Sequence, residues 1–356
     1  MIRKLAITAI VAFAALVGPA ATKTASADGA PEAKKIKVGT LAPKNSEWGK
    51  YFTAWARAVK KETNGAYELD WAYNGSAGDE AGMIGGMRSG ALHGGALTAT
   101  GLSSIFPSVV ALQMPGLVDT WAQLDKVRNE ARGTFDSAFD AAGFKILGWG
   151  DVGIGHVMFR DPLNDPEHPE KGYKKPEIRS PADLKAYNTF YISGDAIGSK
   201  FLEALGISSP RALSVPAILP AIAGRESSSI DVITTPAIAA EQLQWAPHVT
   251  HVVDMPVGFG IGALVMNKKF YSELPEDVRK VIESTGKNTS ELLTTAIRNK
   301  DQEAWNELMR TKKVVKLTDP EKAAWQAKFT DVRKVLKTEG KIKGDVWDAV
   351  TKAAGK

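Results

Sequence analysis

Three segments of strand character separated by two of helical character fill residues 35–100, and this order limits the possible folds more than any other feature. Lys35 to Thr40 alternates polar and apolar residues and predicts a first strand. Ser46 predicts an N-cap for a helix running to about Glu62, with Trp48, Phe52, Trp55 and Val59 on one face. Asn64-Gly65 stops that helix, and Tyr67 to Tyr73 alternates again. A Gly75–Glu80 loop then opens a helix from Glu80 to Gly90, and Ala96 to Thr100 reads as a third strand. A βαβαβ order predicts a parallel sheet with crossover helices.

The plan then repeats. Met114-Pro115 ends a strand-like segment, Trp121 to Ala142 reads as helical, and Phe144 to Trp149 reads as a strand. Val152 to Arg160 is extended, and residues 161–182 form a polar, Pro-rich surface insertion. Further strands are expected at Asn188–Ile192, Ser229–Thr234, Val249–Val253 and Gly262–Met266. Helices are expected at Ser199–Leu205, Val215–Ala223 and 237–245, and long amphipathic helices take over from about Glu276. Extended segments near 150–155 and 253–258 suit connections between two lobes. Open α/β sheets bind ligands at the carboxyl ends of their strands, and clefts between domains favour pockets. The residues alone therefore predict a two-lobed α/β protein with an interlobe cleft.

The amino terminus reads as an address. Arg3 and Lys4 precede an apolar run from Leu5 to Val17, and small residues lead to Ala25-Ser26-Ala27. That is the pattern of an export signal cleaved after Ala27, and the run is too short for the ~20 residues of a membrane span. Residues 1–27 carry Arg3, Lys4 and Lys23 and no acid, so cleavage lowers the net charge from +5 to +2. The remaining lysines near the carboxyl end are interleaved with acids, as on a solvated helix face. No nucleic-acid partner is expected. The absence of cysteine excludes disulfides, thiolate metal sites and a lipidated cysteine anchor.

Several segments resemble the solute-binding subunit of tripartite ATP-independent periplasmic (TRAP) transporters, of the dicarboxylate-receptor (DctP) type. They are Ile36–Pro43, Gly78-Asp79-Glu80 followed by Met87–Thr98, Ser180–Ala186, Ser199–Gly206, Ser229-Ile230-Asp231, and Ala263–Phe270 leading to Leu274-Pro275. The resemblance implies a type II periplasmic-binding-protein-like fold with long C-terminal helices. On that plan 28–152 forms lobe I, 153–253 lobe II, 254–285 returns to lobe I, and 286–356 packs across both. It also implies a periplasmic receptor that closes on a small ligand and delivers it to small and large integral membrane subunits. It implies no catalysis; no cofactor is expected, and His248 and His251, three apart with no third ligand nearby, do not make a metal site. The alternative function is a periplasmic carrier of hydrophobic ligands serving another transport system or a sensor.

The sequence departs from the family at one point of chemistry. Family members fix a ligand carboxylate with an arginine that corresponds to about Phe190, and many carry another in the stretch written here Asp151 to His156. Neither cation is present. A charge-assisted hydrogen bond contributes roughly 1.5–3 kcal/mol, so a small dicarboxylate is disfavoured and a neutral, amphipathic or largely apolar ligand is expected. Lys44 or Arg88 could supply a charge from another loop.

The candidate ligand-binding residues follow strand ends. Lys44, Asn45 and Trp48 follow the first strand, although Trp48 also suits helix core. Gly78 and Asp79 precede a helix, Gly155 lies in the extended stretch, and Phe190 takes the arginine position. Thr234, Thr235 and Pro236 end a strand, Trp245 follows the next helix, Phe259 sits in a Gly-rich run, and Asn267 matches a recurring family position. Asp79-Glu80 reads as an acidic helix start.

Overall fold

In the computed structural model, the residues described are 32–160, 176–207, 210–224 and 229–356. The export segment 1–27 and residues 161–175 of the polar insertion lie outside them. Strands β1 (Lys34–Thr40), β2 (Tyr67–Ala72) and β3 (Gly94–Thr98) enclose helices α1 (Glu47–Glu62) and α2 (Glu80–Ser89), which gives the expected opening unit. β1 pairs in parallel with both β2 and β3. Ser46 caps α1 by accepting from the Gly49 N–H, and Phe52, Trp55 and Val59 are buried on its inner face.

The chain from Ala99 to Gln113 differs from expectation. It forms α3 (Ala99–Ile105) and a 3₁₀ turn at Pro107–Gln113, where a strand-like run had been expected. Val109 to Leu112 are all buried, so their unbroken apolarity reflects complete burial and not a strand. The helical stretch after Trp121 divides at Ala131 into α4 (Trp121–Glu130) and α5 (Arg132–Ala141).

Most of the strands expected in two sheets share one. β4 (Phe144–Phe159) and β8 (His251–Asn267) pair antiparallel along their length and carry different neighbours at their two ends. β3 flanks the Gly262–Met266 end of β8, antiparallel to it. β7 (Val232–Pro236) flanks the Gly155–Phe159 end of β4, also antiparallel. The mixed sheet runs β2-β1-β3-β8-β4-β7, and the short β9 (Lys313–Val315) pairs in parallel with β8. β5 (Phe190–Ile192) and β6 (Arg211–Leu213) form a separate parallel pair. The pairing of β4 with β8 shifts register four times between Ile146 and Met158. Such bulges bend a strand and re-aim its side chains.

Helices α6 (Ala196–Ala204), α7 (Val215–Ala223), α8 (Ala237–Gln242) and α9 (Lys268–Glu273) connect these strands. The 36-residue α10 (Glu276–Thr311) then crosses β4, followed by α11 (Asp319–Thr338) and α12 (Gly344–Ala354). Two glycines of β4 admit α10. A Cβ on Gly148 would lie 2.2 Å from Ser290 Oγ. Gly153, at φ +122°, would meet Pro236 Cβ at 2.6 Å and Asp301 Cγ at 2.7 Å. Asp301 Oδ2 accepts from the Ile154 N–H at 2.7 Å and Oδ1 from the Ile238 N–H at 3.0 Å, so α10 pins β4 to the start of α8. Among the described residues, no helix is long and apolar enough to cross a membrane.

Candidate functional site

A cavity of about 320 Å³ lies where the carboxyl ends of β1 and β3 face the middle of β4 and β8. Thr40–Pro43, Trp48, Phe52 and Ala96–Thr100 form one side. Gly150–Val152, Gly155 and Val257–Leu264 form the floor. Thr234–Pro236, Ala239, Leu243 and Trp245 face them, with Ile192, Asp195, Ile197 and Val215 beside. The position follows from topology, since parallel strands of an α/β layer leave their loops and helix starts at one edge.

The wall is mostly apolar. Its charged residues, among those described, are Glu80, Asp151 and Asp195; it contains no lysine, arginine or histidine. Asp151 is already compensated. Its Oδ2 accepts from Arg298 Nε at 2.6 Å, and its Oδ1 lies 2.8 Å from Arg128 Nη1. Arg298 also donates to both oxygens of Asp125, and Arg128 donates to Asp125 Oδ1. Two acids and two guanidiniums thus form a neutral group beneath the floor. The hydrogen bond from Arg298 holds the Asp125 carboxyl below its ordinary range. Arg298 stacks 4.6 Å from the Trp121 ring, whose edge meets the cavity-lining Phe259 at 4.6 Å.

Glu80 is buried and turns inward from the start of α2. Oε1 accepts from the Thr98 N–H at 2.5 Å, and Oε2 accepts from Thr98 Oγ1 at 2.7 Å and the Gly101 N–H at 2.9 Å. Burial pushes its carboxyl up, and these donors work in the other direction. Asp195 caps α6, accepting from the Ile197 N–H at 3.0 Å, and burial pushes it up as well.

Of the residues singled out in the sequence, Trp48, Gly155, Thr234, Thr235, Pro236, Trp245 and Phe259 line the cavity together. The other six lie elsewhere. Lys44 and Asn45 are exposed just beyond the lining loop. Gly78 and Asp79 are exposed, and Asp79 caps α2 through the Gly82 N–H. Phe190 packs half-buried against the core that holds Trp55 and Ile218. Asn267 spends both ends on the fold, donating to Met87 O at 2.9 Å and accepting from the Phe270 N–H at 2.8 Å. Arg88 lies over the Phe144 ring, away from the lining. The sequence reading missed Thr98, Thr100, Glu80 and Asp195. Asp195 carried a usable signal, an acidic N-cap residue ahead of a short apolar helix.

The model of the bacterial extracellular solute-binding protein family 7 (DctP) matches residues 38–338. The chain belongs to this family. Its two-lobed α/β fold is shared with solved relatives. One is a TRAP periplasmic solute-binding protein of Ralstonia eutropha H16 with bound (S)-2-acetolactate. It is 20% identical, with a TM-score of 0.76 over 90% of this chain and 98% of that one. Another is DctP7 of Bordetella pertussis, which binds pyroglutamic acid; it is 17% identical, with a TM-score of 0.77 over 91% and 100%. A third, from Sulfurospirillum deleyianum DSM 6946 with bound succinate, is 18% identical, with a TM-score of 0.76 over 90% and 98%. A curated solute-binding protein of Verminephrobacter eiseniae (strain EF01-2) is 25% identical over 159 residues, 44% of this chain and 47% of that protein. The alignment thus spans about half the length of that relative.

Proposed function

We infer that this receptor is exported with cleavage after Ala27, binds without catalysis, and passes its ligand to the small and large membrane subunits of a TRAP transporter. The ligand has a largely apolar body and no carboxylate that must be anchored. One observation carries this reading: the cavity has apolar walls and no cation among the described residues. The relatives above hold acetolactate, pyroglutamic acid and succinate, all carboxylic acids. A carboxylate moved into this cavity would lose hydration without gaining a charged partner, a cost of several kcal/mol. Apolar surface, by contrast, gains about 25 cal/mol per Å² buried here.

On this reading the division is the one that the resemblance implies, with lobe I at 28–152 and 254–285, lobe II at 153–253, and 286–356 packing across both. The paired crossing of β4 and β8 is the natural hinge, because its bulges and glycines concentrate there. A ligand touching both sides favours closure by its differential affinity. Native mass spectrometry of the protein purified from its own periplasm tests the reading. Retention of a largely apolar molecule is the expected result; retention of a dicarboxylate with strongly salt-dependent affinity would overturn it.

A further inference from the structure

We propose that the polar end of the ligand is an ammonium group seated between Asp195 and Glu80. This rests on the reading above that the cavity is the ligand site, and it names the chemistry of that ligand.

The argument starts from uncompensated charge. Of the three acids in the wall, Asp151 has its two guanidiniums. Among the described residues, Glu80 and Asp195 have no cationic partner. Glu80 accepts backbone N–H groups at both oxygens, Thr98 at Oε1 and Gly101 at Oε2, and Asp195 accepts from the Ile197 N–H. Glu80 is buried and Asp195 half-buried; withdrawing carboxylates from water without a counter-charge is costly, and a site that does so gains most from a ligand that brings one.

The two acids are held at the same end of the cavity. Thr98 and Gly101, at the start of α3, hold Glu80. Gly194, next to Asp195, lies so close to Thr100 that an added Cβ would sit 3.1 Å from its Cγ2. The β5–α6 loop thereby brings Asp195 up to the α3 residues that fix Glu80.

The remainder of the wall gives a second, independent indication. Trp48, Phe52, Trp245 and Phe259 all line the cavity. Aromatic faces attract cations by about 0.5–2 kcal/mol each, and an apolar body fits the same rings. Carboxylates and aromatic rings in the wall of one cavity select an apolar ammonium over an alcohol or acid of the same skeleton.

The test uses the full mature chain and three probes on one skeleton: 2-phenylethylammonium, 2-phenylethanol and 3-phenylpropionate. Calorimetry should show the ammonium binding at least tenfold more tightly than the other two. Asp195→Asn separates charge from helix capping, because Asn caps as well as Asp. This variant should lose about tenfold in ammonium affinity and keep its affinity for the alcohol. Equal or tighter binding of the alcohol, or an equal effect of Asp195→Asn on both probes, would overturn the ammonium proposal and leave the apolar-cavity reading intact. Tightest binding of the propionate would overturn both. Failure of the ammonium to bind at all overturns the proposal.

Discussion

Arg298, midway along α10, donates from Nε to Asp151 Oδ2 at 2.6 Å and so fastens the longest helix to the strand that floors the cavity. The Asp151 side chain is fully buried and that of Arg298 is mostly so. Asp301, three residues on, accepts from the Ile154 N–H on the same strand. α10 therefore grips β4 on both sides of the bulge between Asp151 and Gly153. The strand can change direction there without exposing its polar backbone.

Arg298→Met should remove one guanidinium from this neutral group and leave Asp151 and Asp125 sharing Arg128. Removing one partner of a buried pair costs about 3–5 kcal/mol. Because Arg128 remains, about 2–3 kcal/mol is the expected loss, read as a lower urea midpoint at unchanged slope. A variant within 0.5 kcal/mol of the parent would show that the contact adds nothing net.

Ser46→Ala should cost about 1 kcal/mol. Ser46 is buried, caps α1 through the Gly49 N–H and donates from Oγ to Pro43 O at 2.6 Å. It therefore fixes both the helix and the loop that supplies Leu41, Ala42 and Pro43 to the cavity. Urea unfolding measures the loss, and an unchanged midpoint would contradict the capping role.

Ser46 was visible in the sequence because a cap, an apolar period and an Asn-Gly stop agree over residues 46–65. β4 and β8 were visible only in pieces. Gly148, Gly150, Asp151, Gly153 and Gly155 carry the chemistry of a turn, yet they lie in one continuous strand, where Gly148 makes room for Ser290 and Gly153 for Asp301 and Pro236. No local pattern encodes that demand, because the residues that impose it lie 80 or more positions away. β9 is three residues long and gains its strand form only by pairing with β8. The same limit governs the site. Thr234 to Pro236 sit at a strand end and could be read locally. Glu80 has the look of an ordinary acidic helix start, and only Thr98 and Gly101, brought up by the βαβ crossover, turn it inward.

Two buried groups, His156 on β4 and Asp301 against it, should give opposite pH dependences. Burial pushes the Asp301 carboxyl up to about 6 from 3.8. The folded protein then holds more protons than the unfolded chain between these values. Its contribution is full below about pH 3.8 and is lost as pH rises through 6. His156, buried and stacked 3.7 Å from Trp305, is pushed down to about 4 from 6.5. Its contribution is full above about pH 6.5 and is lost as pH falls through 4. The stability of the parent relative to Asp301→Asn should therefore fall between pH 4 and 6. Relative to His156→Phe it should rise, each by up to about 3 kcal/mol at 1.36 kcal/mol per pH unit. Unfolding titrations at half-unit steps check both slopes, and slopes of the same sign would refute the assignment.

Gln242→Ala should act on closure and not on folding. Oε1 of this half-buried residue at the end of α8 accepts from the Glu47 N–H at 3.1 Å, at the start of α1. α1 and α8 supply Trp48 and Ala239 to facing sides of the cavity, so this hydrogen bond spans its rim. If the two sides separate when empty, the bond exists only in the closed arrangement. Its loss then weakens closure by about 1 kcal/mol, the usual net value of a neutral hydrogen bond. A ligand that binds the closed form would bind about fivefold more weakly, since 1.4 kcal/mol is tenfold. The unfolding midpoint of the empty protein would stay in place, and small-angle scattering of the variant with ligand would show a larger radius of gyration than the parent. A lowered midpoint with unchanged affinity would instead make the bond ordinary packing, present whether or not the cavity is filled.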